Sequence, residues 1–342
     1  MLSSYHYWLA ANWHTPHHPS PWILCPVPLV RIPRGEYVIQ RVQQQKGIRL
    51  TPAVAIGIAL CATGLAAQSK SAPALKIQVL DAQGAQIVAS EPAKTTQREV
   101  HLSFAHSYRP GDRIVVSGPE RIAVQLDSGQ PECRLYRQSA GLWSFEIPFG
   151  HSQNELGGAY DPNAFQGAAH TVGVRVLGRH ELRGYRNLAL NPCDQTVQPE
   201  LPAFPHATAS STYREMAVFA PRNAIDGVVA GGNHGRWPYQ SWGPDKVDGL
   251  WWRADFGRIV ELDKLRIAVR SDFPHDSHWK EVTIEFSDGT QVKITLAKSA
   301  GLQEVRFPRH RTLWIGISHL VPAEEPGWCA LTEVEAWGRE IH

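Results

Sequence analysis

Beyond residue 73 the chain alternates apolar and polar positions one by one. Leu75, Ile77 and Val79 interleave with Lys76 and Gln78, and a period of two puts successive side chains on opposite faces of a strand. Runs of this kind ("LKIQVLD", "EVHLSFA", "DRIVVSG", "IAVQLD", "LWSFEIP", "HTVGVRVLG") fill residues 74–192, with the turn signals "RPGD" and "DSGQ" between them. A second set ("WWRADFG", "KLRIAVR", "VTIEFSD", "QVKITLA", "EVRFP", "LWIGISHL", "TEVEAWG") fills residues 204–342. Short Val- and Ile-rich runs, with 28 Gly and 25 Pro in 342 residues, predict an all-β chain of two jelly-roll-like β-sandwich domains. Pro192, Pro199, Pro202 and Pro205 cluster about a linker at 193–203, which is expected to be extended and docked rather than a loose tether.

The front of the chain follows a different pattern. "KGIRLTPAVAIGIALCATGLAAQSK" has basic residues, an apolar run and small residues at its end, and reads as a secretory signal over 42–67. Its apolar run of about 16 residues is shorter than the ~20 that a bilayer-spanning helix needs, so cleavage is favoured over a membrane anchor. Export machinery reads the front end of a chain. Translation is therefore expected to start near Val42, with residues 1–41 an artefactual or disordered extension and the mature protein beginning near Gln68. The predicted location is secreted or periplasmic.

Charge and cysteines narrow the picture. The formal charge is +2, yet Arg31, Arg34, Arg41, Lys46 and Arg49 face only Glu36 in the first 67 residues. The remaining body is near neutral, which argues against nucleic acid or a membrane surface as partner. Beyond the signal only Cys133, Cys193 and Cys329 remain, so at most one internal disulfide can form. Cys329 reads as a small buried hydrophobe.

The second half resembles a known family. "NAIDGV" at 223–228, "WWRADFG" at 251–257, "VELDKLRIAV" at 260–269, "EFSDGT" at 285–290 and "ALTEVEAWG" at 330–338 follow the motif order of the F5/8 type C, or discoidin-like, domain. The resemblance implies an eight-stranded sandwich whose loops at one end bind ligands, most often glycans in secreted bacterial proteins. It also implies a structural calcium ion on Asp226 and Glu333, with backbone oxygen near Asn223, ligand types that suit a hard cation. No motif for an organic cofactor is visible.

Two loops carry the candidate chemistry. "GGNHGRWPYQSWGPDK" at 231–246 and "RSDFPHDSHWK" at 270–280 combine aromatic platforms with planar donors and acceptors, as recognition of a glycan or polysaccharide requires. Trp237, Tyr239, Trp242 and Trp279 are the expected platforms; His234, Gln240, Arg270, Asp272, His275 and His278 are the expected polar partners. One of Trp251 and Trp252 should pack inward, and Trp314 and Trp337 should belong to the core. Zinc on His275, His278 and Asp272 lacks a closing ligand. A polysaccharide lyase with its site between the two domains is the alternative: Tyr160 or His170 would abstract a proton, while Arg175, Arg186 or Arg270 would neutralise the acid, with Asp272 and His275 as further candidates. A glycoside hydrolase would instead use a carboxylate pair drawn from Glu146, Asp161 and Asp272.

Overall fold

The first eight strands form two antiparallel sheets. In the computed structural model, which describes residues 73–195, 202–271, 276–324 and 327–341, these are β1 (Lys76–Leu80), β2 (Gln86–Ala89), β3 (Glu99–Ala105), β4 (Arg113–Gly118), β5 (Arg121–Gln125), β6 (Cys133–Tyr136), β7 (Gly141–Glu146) and β8 (Ala169–Val176). One sheet has the order β2-β1-β4-β7, the other β3-β8-β5-β6. Ile77, Val79, Ile114, Val116, Trp143 and Phe145 from the first meet Leu102, Ile122, Val124, Leu135, Val172 and Val174 from the second in one buried cluster. The alternation read from the sequence thus points its apolar positions into the gap between two sheets.

Seven further strands form the second sandwich: β9 (Arg186–Asn187), β10 (His206–Ala209), β11 (Trp252–Val269), β12 (Trp279–Phe286), β13 (Gln291–Thr295), β14 (Gln303–Pro322) and β15 (Leu331–Glu340). Their order is β13-β12-β14-β11-β15-β9, with β10 also on β11. The two long strands pass from one layer to the other. Trp252–Asp255 of β11 pairs with β10, whereas Val260–Val269 pairs with β15. The register slips between Asp255 and Val260, and a Cβ at Gly257 (φ +66°) would lie 2.3 Å from the Phe204 ring. A second slip between Leu262 and Lys264 moves the buried positions from Val260 and Leu262 to Leu265 and Ile267, as a bulge must.

Tertiary pairing redraws the expected seam. Strand β9, placed by the sequence in the first domain, adds to the sheet of the second, where Leu188 and Ala189 join the core. Conversely, Phe204 exchanges two backbone hydrogen bonds with Tyr136 of the first sandwich, and Ala203 joins that core. A two-residue strand carries no period of its own, so only its partner reveals it. Cys133 and Cys193 form a disulfide across 60 residues, while Cys329 lies half-buried against the second core rather than inside it. Near the seam, Glu340 accepts from Arg186 (2.5 Å) and Arg258 (2.6 Å). Burial alone would raise its pKa, but these guanidiniums hold it below the ordinary value.

All of the described residues belong to one compact unit, Ala67–His342. The signal at 42–67, the extension at 1–41, Asp272 and His275 lie outside the described residues. Among the described residues no helix is long and apolar enough to cross a membrane.

Candidate functional site

Trp328 stands between two cavities at the loop end of the second sandwich. Its backbone bridges to Asp276, and Ser277 N donates to its carbonyl at 2.9 Å. This close approach requires the preceding glycine, because a Cβ on Gly327 would lie 2.1 Å from Ser277 Cβ. Tyr213 meets the Trp328 ring edge-to-face at 5.0 Å, and Lys246 Nζ sits 4.2 Å from the ring centroid. Tyr213 is itself placed by its N–H on Gly243 O (2.8 Å), and Asp245 accepts from Ser211 Oγ (2.9 Å) to shape the adjoining turn.

The larger cavity, about 720 Å³, runs past Lys246, Asp248, Trp251, Trp279, His319 and Trp328. Trp251 is 41% exposed along it. The smaller, about 300 Å³, is lined by Gln153, Tyr213, Phe219, His234, Arg270 and Trp328. Arg270 is held there as a buried bidentate ion pair, donating from Nε and Nη2 to Asp276 at 2.9 and 3.0 Å. Arg214 and Glu215 beside this cavity have φ of 48° and 53°, a conformation non-glycine residues adopt at a cost. Together the two cavities join flat aromatic surface to planar donors, the combination a sugar ring needs.

Several sequence expectations are corrected here. Trp242 and Trp279 are not exposed platforms: they are 0% and 3% exposed and belong to the core cluster, with Trp279 forming only the floor of the larger cavity. The physical reason is local charge cancellation, since Asp276 neutralises Arg270 inside the fold and Trp242 Nε1 is satisfied by Ser211 O. Gln240 is also buried, donating to Asp226 Oδ2 at 2.8 Å rather than facing a ligand. Trp252 packs inward while Trp251 faces out. Trp314 and Trp337, expected in the core, are half-buried on outward strand faces under Arg253 and Lys264.

Of the remaining candidates, His234 reaches the smaller cavity, and Trp237 lines a third. Tyr239 and His278 are half-buried, and neither lines the cavities described. Trp328 and Tyr213 were missed by the sequence reading. The signal was present, since "EEPGWC" and "SSTYREM" are as turn-rich as the runs around Trp237.

Asp226 and Glu333 do come together. Both are buried; Asp226 accepts from Val228 N and Gln240 Nε2, and Glu333 Oε2 from Gly227 N. Burial pushes both carboxyl groups up, and the Asp226 charge adds to the rise in Glu333. Glu333 Oε1 is buried with no hydrogen-bond partner. An orphaned buried carboxylate oxygen calls for a proton or a cation, so the donor type fits calcium. Among the described residues no cluster of three or more His, Cys, Asp or Glu gathers, and the Asn223 side chain is engaged with Arg222, Ala217 and Ser241. Further ligands would therefore be backbone carbonyls or water.

The residues considered for catalysis are dispersed. Tyr160 Oη accepts from Gln195 at 3.1 Å, under Arg222. His170 is buried against Tyr108, ring centroids 4.3 Å apart. Arg175 is bound to Glu132 and Glu181 by four hydrogen bonds. Arg186 is committed to Glu340.

No family model and no curated protein matches the chain. Solved structures do show similarity. A chitosan-binding module 1 from a Paenibacillus sp. IK-5 chitosanase/glucanase is 20% identical with a TM-score of 0.30, covering 44% of this chain and 98% of that one. A Streptococcus pneumoniae fucose binding module is 21% identical with a TM-score of 0.31, covering 45% and 98%. A Clostridium perfringens module in complex with GalNAc-beta-1,3-galactose is 15% identical with a TM-score of 0.31, covering 39% and 94%. The described residues build an all-β chain of antiparallel sheets.

Proposed function

We propose that the chain is an exported glycan-binding protein whose ligand lies across Trp328, between the two cavities of the second sandwich. The observation that carries this reading is the placement of Trp328 and Tyr213 beside Gln153, His234 and Arg270. Apolar C–H faces of a sugar would rest on the indole, and its hydroxyls would exchange hydrogen bonds with the planar side chains. Lys246 occupies one face of that indole, but an exposed cation–π contact contributes only about 0.5–1 kcal/mol. A sugar ring can displace it. The buried Arg270–Asp276 pair keeps its guanidinium preset, so little ordering cost falls on binding.

Calcium on Asp226 and Glu333 serves this reading as a structural ion: bound, it would neutralise the buried pair and tie the 223–228 turn to β15. A glycan-array screen combined with a polysaccharide-turnover assay tests the proposal. Binding without new reducing ends or unsaturated products supports it. Turnover would make the chain an enzyme, and no binding to any glycan would refute the reading.

A further inference from the structure

A third cavity lies where the two sandwiches meet. About 340 Å³ in volume, it is lined by His151, Gly157, Gly158 and Tyr160 of the first sandwich, with Arg236 and Trp237 of the second; Pro162 completes it. The two sides are fastened together. Trp237 N donates to Gly158 O at 2.9 Å, Arg236 Nη1 to His151 O at 3.3 Å, and Val218 N to Gln153 O at 3.3 Å.

This cavity adjoins the smaller one beside Trp328. Gln153 lines that cavity and His151 this one; His234 lines that cavity, and Arg236 this one. In both walls the two residues are two positions apart, so their backbones are at most about 7 Å apart. The loop after β7 therefore contributes lining to both cavities.

The lining is chemically one-sided. It offers an indole, a phenol edge, an imidazole and a guanidinium, and no carboxylate. Among the described residues Arg236 forms no ion pair, its one hydrogen bond going to a carbonyl. The acids of the same loop are hydrogen-bonded to their own backbone turns: Glu155 accepts from His151 N and Ser152 N, and Asp161 from Asn163. A guanidinium with an uncommitted edge beside an aromatic surface favours a planar or tetrahedral anion carried on a sugar ring.

We propose that this seam cavity is a second subsite, which takes an acidic sugar unit (uronate- or sulfate-bearing) of the same glycan that rests on Trp328. The inference depends on the glycan-binding reading and adds to it a ligand class and a role for the first sandwich. That sandwich supplies one wall of the recognition surface.

Calorimetric titration of the full chain tests it, using tetra-N-acetylchitotetraose, a hyaluronan tetrasaccharide and a keratan sulfate tetrasaccharide as neutral, uronate-bearing and sulfate-bearing probes. The acidic probes should bind more tightly than the neutral one, and Arg236→Gln should weaken the acidic probes by about tenfold or more, as loss of a hydrogen bond to a charged group does. Arg236→Lys should restore part of that loss, and binding of the neutral probe should be unchanged in both variants. The preferred acidic probe separates uronate from sulfate. Equal affinity for neutral and acidic probes, or an Arg236→Gln effect that is the same on all of them, overturns the second subsite while leaving glycan binding at Trp328 standing. Failure of every probe and every array glycan to bind would remove both.

Discussion

Trp242 and Trp279 stack at 5.5 Å between ring centroids, 28° from parallel, inside the core of the second sandwich. Each comes from one of the two loops that look most like ligand platforms in the sequence. Stacked aromatic pairs contribute about 0.5–1.5 kcal/mol beyond the area they bury. Trp279→Ala should therefore lower stability by about 3–5 kcal/mol, read as a loss in chemical-denaturation midpoint. Trp251→Ala, at an exposed position, should change stability by less than about 1 kcal/mol. Similar small losses for both variants would contradict the packing described.

The contrast shows what one-dimensional patterns carry. The strands and their buried faces were legible because Ile77, Val79, Ile114 and Val116 repeat with period two. Even the bulge at Asp263 leaves a trace, in the changed phase from Leu262 to Leu265. The loop tryptophans were misread because polar neighbours are a sign of exposure only when their charges stay solvated. Arg270 and Asp276 cancel each other at a spacing of six, in a loop, and no periodicity announces such a pair. The encounter of Asp226 with Glu333 followed from motif order. That of Gln153 with Tyr213 and His234 is created by docking of the two sandwiches, and no local pattern encodes it.

The buried carboxyl pair predicts a pH-dependent stability. Because the folded-state pKa values of Asp226 and Glu333 are raised, the folded protein binds more protons than the unfolded chain above the ordinary carboxylate range. Stability from this pair is full below that range and falls as pH rises through the raised values. Melting of chelator-treated protein should accordingly drop between acid and neutral pH. Added calcium should restore most of the loss at neutral pH and little in acid, and Asp226→Asn should abolish the calcium effect and leave a shallower slope from Glu333, which burial still raises. A melting temperature indifferent to pH, chelator and calcium would remove the calcium proposal.

Glu340 offers a separate test of the seam. Its side chain is buried among Arg186, Arg258 and Arg121. Glu340→Gln keeps the shape but leaves guanidiniums without their counter-charge. Breaking a buried pair in this way costs roughly 3–5 kcal/mol, measurable as a lower denaturation midpoint. With this folded-state pKa lowered, the wild-type advantage should persist at neutral pH and fade as pH falls through that lowered value. Equal stability of the two proteins at neutral pH would place the seam's cohesion elsewhere.

Glycan recognition across Trp328 is most directly tested by calorimetric titration of the tightest array glycan into wild-type protein and Trp328→Ala. Trp328 is half-buried, and its backbone contacts survive truncation, so the variant should remain folded by circular dichroism. Its affinity should fall at least tenfold, or about 1.4 kcal/mol. Undiminished affinity in a folded Trp328→Ala protein would contradict the account.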